Sequence, residues 1–334
     1  LTRGPVDEKF PEETAVSERI PDRGPFHPSL RKEQFMPEIH DLHTPVDVSI
    51  VIPAYNEETA LGNVVEDVRA AMNPTAHAYE LVIVDDCSTD GTAAVAQSLN
   101  TRLIQRKMNG GSGAARKTGI RAARGKYIVM LDADGTYTAA DIPKMLDLLP
   151  EWDQVNGART SEQGTLKFLR VPAKWLIQKL AIYLSGVPIP DLNTGLKAFK
   201  RDIMMKYLWV LPEGFSCVTT MTLAFLCNGY SVTWIPTEYH KRIGQSKFHP
   251  IKDTTKYLTT VIRMIMYFNP LRVFLPLSAL LVLLGVGRGI YDHFVYVRLR
   301  EGDILLTLGG IVIGVMGLLA DLIVAQGRAR DEEI

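Results

Sequence analysis

Two apolar runs, Val273–Val295 and Ile304–Ala325, constrain this chain more than any other feature of its sequence. Each is long enough to cross the ~30 Å hydrocarbon core of a bilayer as a helix. A domain that already has a sheet core rarely needs two apolar helices of that length, so buried core helices are the weaker reading. Only a short turn carrying Arg298, Arg300, Glu301 and Asp303 separates the runs. Spans joined so tightly must pair as a hairpin, which returns Arg328 and Arg330 to the side from which the chain came. Arg288, Asp292 and His293 interrupt the first span near its end, and Asp321 sits inside the second. Such groups snorkel, pair with each other or line a contact between copies, so a homo-oligomer is one expectation.

The rest of the chain is built differently. Residues 1–45 are polar and proline-bearing and read as an N-terminal extension rather than a secretory signal. From Val48 the pattern alternates strand and helix. Val48–Ile52, Glu80–Val84, Arg102–Gln105 and Tyr127–Leu131 have strand character, and Glu57–Met72, Thr92–Leu99 and Ser112–Ala123 have helical character. This alternation predicts an α/β domain with a mostly parallel sheet and helices on both faces, its ligands at the carboxyl ends of the strands. Beyond residue 150 the pattern is irregular. Leu166–Leu184 mixes Trp175, Leu176, Leu180 and Ile182 with Lys167, Arg170, Lys174 and Lys179, and Ile251–Phe268 is similar. Both read as amphipathic helices for the membrane interface, where basic residues meet anionic lipid; a core helix with a solvated lysine face stays open for the first. The expected organisation is an extension at 1–45, a catalytic domain at 46–248, an interfacial helix at 249–270, two transmembrane helices within 271–327 and a tail at 328–334.

A formal net charge of zero argues against a general nucleic-acid partner, which requires a cationic surplus. Cys87, Cys217 and Cys227 are too few and too scattered for a disulfide framework or a zinc site, which fits a catalytic part facing the cytoplasm.

Three acidic or polar clusters follow three strands of the expected sheet. Asp132-Ala133-Asp134 places two carboxylates at a strand end, hard oxygen ligands for Mg²⁺ or Mn²⁺ of the kind completed by water and substrate phosphate. Asp85 to Thr92 follows the second strand and Pro53-Ala54-Tyr55-Asn56-Glu57 the first. Turn and N-cap chemistry explains Ser88, Asp90 and Gly91 locally, but not the recurrence of such clusters around one crevice. There Asp86 is placed to accept from a base N–H, and Glu57 or Tyr55 to meet a ribose.

Taken in order and spacing, Pro53–Glu57, Asp85–Thr92, Asn109–Gly119 and Asp132–Asp134 resemble the inverting glycosyltransferases of family two. The region beyond resembles their polyprenyl-phosphate branch, which includes dolichol-phosphate mannose synthases and bacterial polyprenyl-phosphate glucosyltransferases. It does so through Gly157-Ala158-Arg159 after a strand, Asp191 to Gly195 before a helix, and Arg242 to Lys247 before the membrane segment. The resemblance implies a nucleotide-sugar-binding glycosyltransferase A-type fold and transfer of a hexose from a nucleoside-diphosphate sugar, UDP-glucose or GDP-mannose in class, to polyprenyl phosphate at the bilayer. It implies donor contacts at Pro53, Tyr55, Glu57, Asp86, Asp132, Ala133 and Arg159, and a metal at Asp132 and Asp134. Catalytic roles fall to Asp134, Asp191, Arg242 and Lys247. One departure is that Thr136 stands where dolichol-phosphate mannose synthases often carry a metal-binding Gln.

Other readings are weaker. Gly110 to Thr118 is not a Walker loop, because Arg116 stands where glycine is needed. A processive polysaccharide synthase shares the donor site but usually carries a Gln-X-X-Arg-Trp string, which this sequence lacks. A non-catalytic membrane scaffold would be expected to have lost an acidic metal residue, and both are present.

Overall fold

The computed structural model describes residues 46–160, 178–179, 181–183, 186–240 apart from 215, 263, 266–267, and 269–332 apart from 299. Seven strands form one sheet: β1 (Val48–Ala54), β2 (Tyr79–Asp85), β3 (Arg102–Gln105), β4 (Tyr127–Met130), β5 (Gln154–Arg159), β6 (Lys197–Lys200) and β7 (Val232–Thr237), in the order β3-β2-β1-β4-β6-β5-β7. All neighbours run parallel except β6, which is antiparallel to both β4 and β5. The glycosyltransferase A-type arrangement expected from the sequence is therefore present, with one reversed strand inside it.

The central strands are apolar on both faces because helices cover both. Val51, Val82 and Val84 point into one core layer with Ile120, Phe199, Met221 and Phe225. Ile50, Ile52 and Ile83 point into the other with Leu61, Val65, Val68 and Met145. Helix α1 (Leu61–Met72) buries Leu61, Val64, Val65, Val68 and Met72, a single stripe at helical spacing. The sequence pattern begins this helix at Glu57, but residues 57–60 make a turn first, with Glu57 O accepting from the Ala60 and Leu61 amides.

Two further boundaries differ from the sequence reading. Strand β1 does not stop at Pro53 but runs to Ala54. Proline is tolerated because the last register pair with β4 is Val51↔Met130, so its missing N–H breaks no ladder bond on that side. Gly157 to Arg159 lies inside β5 rather than after a strand, and Asp191 to Gly195 leads into β6 rather than into a helix. Helices α2 (Thr92–Ser98), α3 (Ser112–Ala122), α4 (Ile142–Leu148), α5 (Arg201–Lys206) and α6 (Cys217–Cys227) complete the α/β unit.

The hairpin consists of α7 (Leu271–Tyr296) and α8 (Glu301–Glu332). Small residues set their close approach: Ser278 Oγ donates to the Gly310 carbonyl at 2.7 Å, and a Cβ at Gly285 would overlap Thr307. Charged groups gather at the turn, where Arg300 meets Asp292 at 3.0 Å and Arg288 meets Asp303 at 3.4 Å. Outside the seam the apolar side chains face outward, with Leu283 72% and Leu305 69% exposed. Two helices this long and apolar, and so little buried along their length, are membrane spans. Most of the two expected interfacial helices lies outside the described residues; Gln178–Lys179 and Ala181–Tyr183 are helical.

Candidate active site

The carboxyl ends of β1, β2 and β4 open on one side of the sheet, where a mostly parallel α/β sheet places its ligands. The loop after β1 is stitched to the loop after β2. The Asn56 amide donates to Ser88 Oγ at 3.0 Å, the Thr89 amide to Asn56 Oδ1 at 2.8 Å, and the Glu57 amide to Thr92 Oγ1 at 2.8 Å. Asn56 and Cys87 both have positive φ, 52° and 62°, so these loops are held in tight turns. Tyr55 is half-buried and Glu57 is buried.

Asp86 is 2% exposed and sits in a cradle of donors. Its carboxylate accepts from the Gly111 amide at 2.7 Å and the Gly110 amide at 3.1 Å, and pairs with Arg106. Gly111 reaches this position with φ 88°, a conformation that favours glycine. The same loop then starts α3, whose Gly113 and Ala114 amides donate to the Glu213 carbonyl at 2.8 and 3.2 Å.

Helix α3 also reaches the second acidic tip, because its Arg116 pairs with Asp132. The Arg116 side chain is 6% exposed against 29% for Asp132, so the cation is buried behind a carboxylate that faces the crevice. Asp134, two residues on, is buried and its Oδ1 accepts from Thr136 Oγ1 at 2.6 Å and from the Thr136 amide at 3.2 Å. Ala133 between them is buried in the core. The loop before β6 closes on this tip: the Gly195 amide donates to Tyr137 Oη at 2.8 Å, and a Cβ on Gly195 would overlap the Asp132 carboxylate. Burial pushes the Tyr137 phenol up, so it stays a neutral hydroxyl.

A third cluster stands beside this one. Arg159 at the end of β5 grips Asp191 with Nε to Oδ2 at 2.6 Å and Nη2 to Oδ1 at 2.9 Å, and its guanidinium lies 5.2 Å from the Tyr239 ring centre. Burial alone would raise the Asp191 carboxyl, but hydrogen bonds and charge from Arg159 outweigh it and hold the group below its ordinary range. Tyr239 bridges back to Tyr137, with ring centres 5.3 Å apart. Below them Lys197 is fully buried, donating to Thr222 Oγ1 at 2.6 Å and Asn156 Oδ1 at 3.0 Å. Desolvation draws its ammonium down to about 7 despite the nearby Asp191.

The structure thus brings Asp86, Asp132, Asp134, Arg159 and Asp191 to one side of the sheet, with Pro53 near the end of β1 and Tyr55 and Glu57 on the loop that follows it. Arg242 and Lys247 lie outside the described residues. Arg159, expected to contact the donor, is engaged by Asp191. Sequence reasoning missed Arg106, Arg116, Thr136 as a partner of Asp134, Tyr137, Tyr239 and Lys197. Among the described residues no group of three or more His, Cys, Asp or Glu is arranged around a metal. A donor set of two carboxylates nevertheless fits Mg²⁺ or Mn²⁺, which commonly take one or two from protein and the rest from water and substrate phosphate.

Comparison with known proteins agrees with this architecture. The family model of glycosyl transferase family 2 matches residues 49–208, and that of the GtrB C-terminal hairpin matches residues 269–325. Glycosyltransferase AglJ of Haloferax volcanii is 28% identical over 303 residues, covering 87% of this chain and 98% of that protein. A dolichyl-phosphate hexose transferase of the same organism is 31% identical over 206 residues, 61% of this chain and 87% of the relative. Dodecaprenyl-phosphate galacturonate synthase of Rhizobium johnstonii is 28% identical over 86% of this chain and 90% of its own. Among solved structures, glucosyl-3-phosphoglycerate synthase of Mycobacterium tuberculosis, in complex with Mn²⁺, UDP and phosphoglyceric acid, superposes with a TM-score of 0.52 at 17% identity, covering 66% of this chain and 78% of that one; it shares the fold. With a family 2 catalytic unit, a GtrB-type hairpin and relatives matched over nearly their whole length, this chain belongs to the glycosyltransferases of family 2, in the polyprenyl-phosphate branch.

Proposed function

We propose that the enzyme transfers a hexose, with inversion, from a nucleoside-diphosphate sugar of the UDP-glucose or GDP-mannose class to polyprenyl phosphate, dolichyl or undecaprenyl, with Mg²⁺ or Mn²⁺ at Asp132 and Asp134. The observation that carries this reading is the joining of two features in one chain: acidic strand tips facing a single crevice, and a hairpin whose first helix packs Val273 against the catalytic core. That tether keeps the crevice beside the bilayer, where a lipid acceptor resides. The names of the relatives, which act on dolichyl, dodecaprenyl and undecaprenyl phosphates, support the same acceptor class.

The chemistry follows from the acceptor. A phosphate monoester has a second pKa near ~6, so it arrives at neutral pH as an anionic nucleophile and no strong general base is required. What remains is to hold two anionic phosphates near one anomeric carbon and to stabilise the departing diphosphate. A bound divalent cation supplies charge neutralisation at the diphosphate. Asp86, with its glycine amides and Arg106, orients the base, and Tyr55 and Glu57 border the ribose. Asp191, kept ionised by Arg159, orients the acceptor or a sugar hydroxyl, and Arg242 and Lys247 bind phosphate. The catalytic unit faces the cytoplasm, in keeping with three cysteines that form no disulfide among the described residues.

The test is a panel of radiolabelled nucleotide-sugars incubated with membranes, polyprenyl phosphate and either metal. Label extracted into organic solvent with one donor, only when acceptor and metal are both present, is the expected outcome. A long polymer formed from donor alone would point instead to a processive synthase, and no transfer with any donor would sink the proposal.

A further inference from the structure

Near the start of α7 lie exposed aromatic and basic side chains to which the proposed transfer reaction assigns no role. Trp209, in the turn after α5, is 67% exposed, unusual for the largest apolar side chain on a well-packed unit. Its ring lies edge-on to Tyr267, ring centres 5.6 Å apart, four residues ahead of α7. On the same helix start, Tyr183 Oη donates to the Arg272 carbonyl at 3.0 Å, and the Arg272 guanidinium donates back to the Tyr183 carbonyl at 2.9 Å. Tyr183 is 52% and Tyr267 40% exposed. Lys179, Lys206, Arg263 and Arg272, each within five residues along the chain of one of these rings, are exposed.

The position of this collar along α7 gives its meaning. The outward apolar surface of the span starts at Leu275, one turn past Arg272, and that turn rises only ~5 Å. Tyr291 and Tyr296 are exposed near the far end, so the distance from Arg272 to Tyr296 along the helix is ~36 Å, a hydrocarbon core plus its margins. Tyrosine and tryptophan gather at those margins because an apolar ring with one polar atom suits the headgroup level, and basic residues there meet anionic lipid.

The collar also leads back to the site. Trp209 begins the segment that continues through Leu211 and Pro212 to Glu213, whose carbonyl takes the Gly113 and Ala114 amides at the start of α3. The amides of Gly110 and Gly111, just ahead of them, hold Asp86. Trp209 is therefore four residues from the carbonyl that holds the start of α3, beside the loop that cradles Asp86.

We infer that Trp209, with Tyr267, Tyr183 and Arg272, is the surface by which the catalytic unit rests on the lipid headgroup layer, continuous with the start of the hairpin. This deepens the reading of a lipid acceptor, because it fixes the height at which the crevice meets an acceptor phosphate. The occupant is lipid headgroup rather than a protein partner, since these residues adjoin the start of a membrane span, Tyr183 being bonded to Arg272 in its first turn.

The test uses the full chain in vesicles of phosphatidylcholine and phosphatidylglycerol. The protein has four tryptophans, so the emission of Trp209 is taken as the difference between wild type and Trp209→Phe, or Trp209→Tyr should the first variant fail to fold. A nitroxide at the headgroup is expected to quench that difference about threefold more than one deep in the acyl chain, as for a ring seated at the interface. Quenching by aqueous iodide but by neither nitroxide, or stronger quenching by the deep probe, would overturn the inference. As a second arm, Trp209→Glu should raise the KM for vesicle-borne polyprenyl phosphate about fivefold while leaving the KM for the nucleotide-sugar unchanged, and Trp209→Tyr should restore it. An equal rise in both KM values would mark a structural role only. If no variant or wild type transfers sugar at all, the proposed reaction fails while the quenching profile still reports on the collar.

Discussion

Arg159 and Asp191 form a two-bond ion pair, 2.6 and 2.9 Å, between strand β5 and the loop that enters β6. Both side chains are largely buried, 17% and 8% exposed, so each is the other's main compensation for lost water. Removing one partner leaves an uncompensated charge, which costs about 3–5 kcal/mol in buried pairs. Arg159→Ala should therefore lower the thermal midpoint of the detergent-solubilised enzyme more than Asp191→Asn does, since the amide oxygen can still accept one hydrogen bond from Arg159, which also keeps the Tyr239 ring. Because the Asp191 carboxyl is held below its unfolded value, its stabilisation is fully present above ~4 and is lost as pH falls through the lower folded value. Thermal midpoints measured downward from pH 6 should drop more steeply in wild type than in Asp191→Asn. Parallel curves would remove the pair from the stability account. In transfer assays, Asp191→Asn activity above half of wild type would remove Asp191 from the catalytic residues.

Thr136 should matter through Asp134. Its hydroxyl and amide both bond Asp134 Oδ1, at 2.6 and 3.2 Å, and so fix the carboxylate's direction. Partners of this kind typically change metal affinity by about 10–100-fold. Thr136→Val should weaken metal-dependent nucleotide binding, followed by calorimetry, to that extent, and Thr136→Ser should restore it. Unchanged affinity in the valine variant would show that Asp134 is held by its other contacts.

Gly195 provides a steric test of Asp132. A methyl group there would overlap the carboxylate that Arg116 holds from the other side. Gly195→Ala should displace Asp132 and reduce kcat at least tenfold, a loss of about 1.4 kcal/mol or more in the transition state, with the fold retained. Gly214→Ala, where nothing lies near the added carbon, is the control and should be neutral. Wild-type kcat in Gly195→Ala would mean that the 193–195 loop yields instead.

Much of this was legible in the sequence, for identifiable reasons. The buried parallel strands announce themselves as continuous apolar runs, and acidic residues directly after them mark the open edge, so Asp86, Asp132 and Asp134 could be placed before any coordinates. The hairpin followed from length and hydrophobicity alone. Strand β6 did not, because Lys-Ala-Phe-Lys is short, carries a charge at each end and reverses direction between two parallel partners. Arg106 and Arg116 were unread for another reason: their carboxylate partners, Asp86 and Asp132, are 20 and 16 residues distant, and nothing local records a pairing made by the fold. Pro53 misled because a strand neighbour decides whether a missing N–H matters.

Lys197 is the residue whose sequence appearance is most at odds with its place. Between Leu196 and Ala198 it looks like the solvent-facing position of an edge strand, yet it is 0% exposed, with its ammonium between Asn156 and Thr222. Desolvation lowers its pKa from 10.5 to about 7, so the folded state releases a proton that the unfolded chain keeps. Between about 7 and 10.5 the unfolded chain binds more protons, and stability rises with pH, by at most about 1.4 kcal/mol per unit from this one group. Below about 7 the penalty is complete and constant. Lys197→Met keeps the volume and removes the charge, so the variant should lack this rise, and near pH 7 its thermal midpoint should equal or exceed that of wild type. The comparison of the two pH curves isolates Lys197 from the other lysines and tyrosines that titrate in the same range. A variant that is less stable at pH 7, and whose curve stays parallel to wild type up to pH 10, would show that the buried ammonium remains charged throughout and is held by Asn156, Thr222 and the field of Asp191.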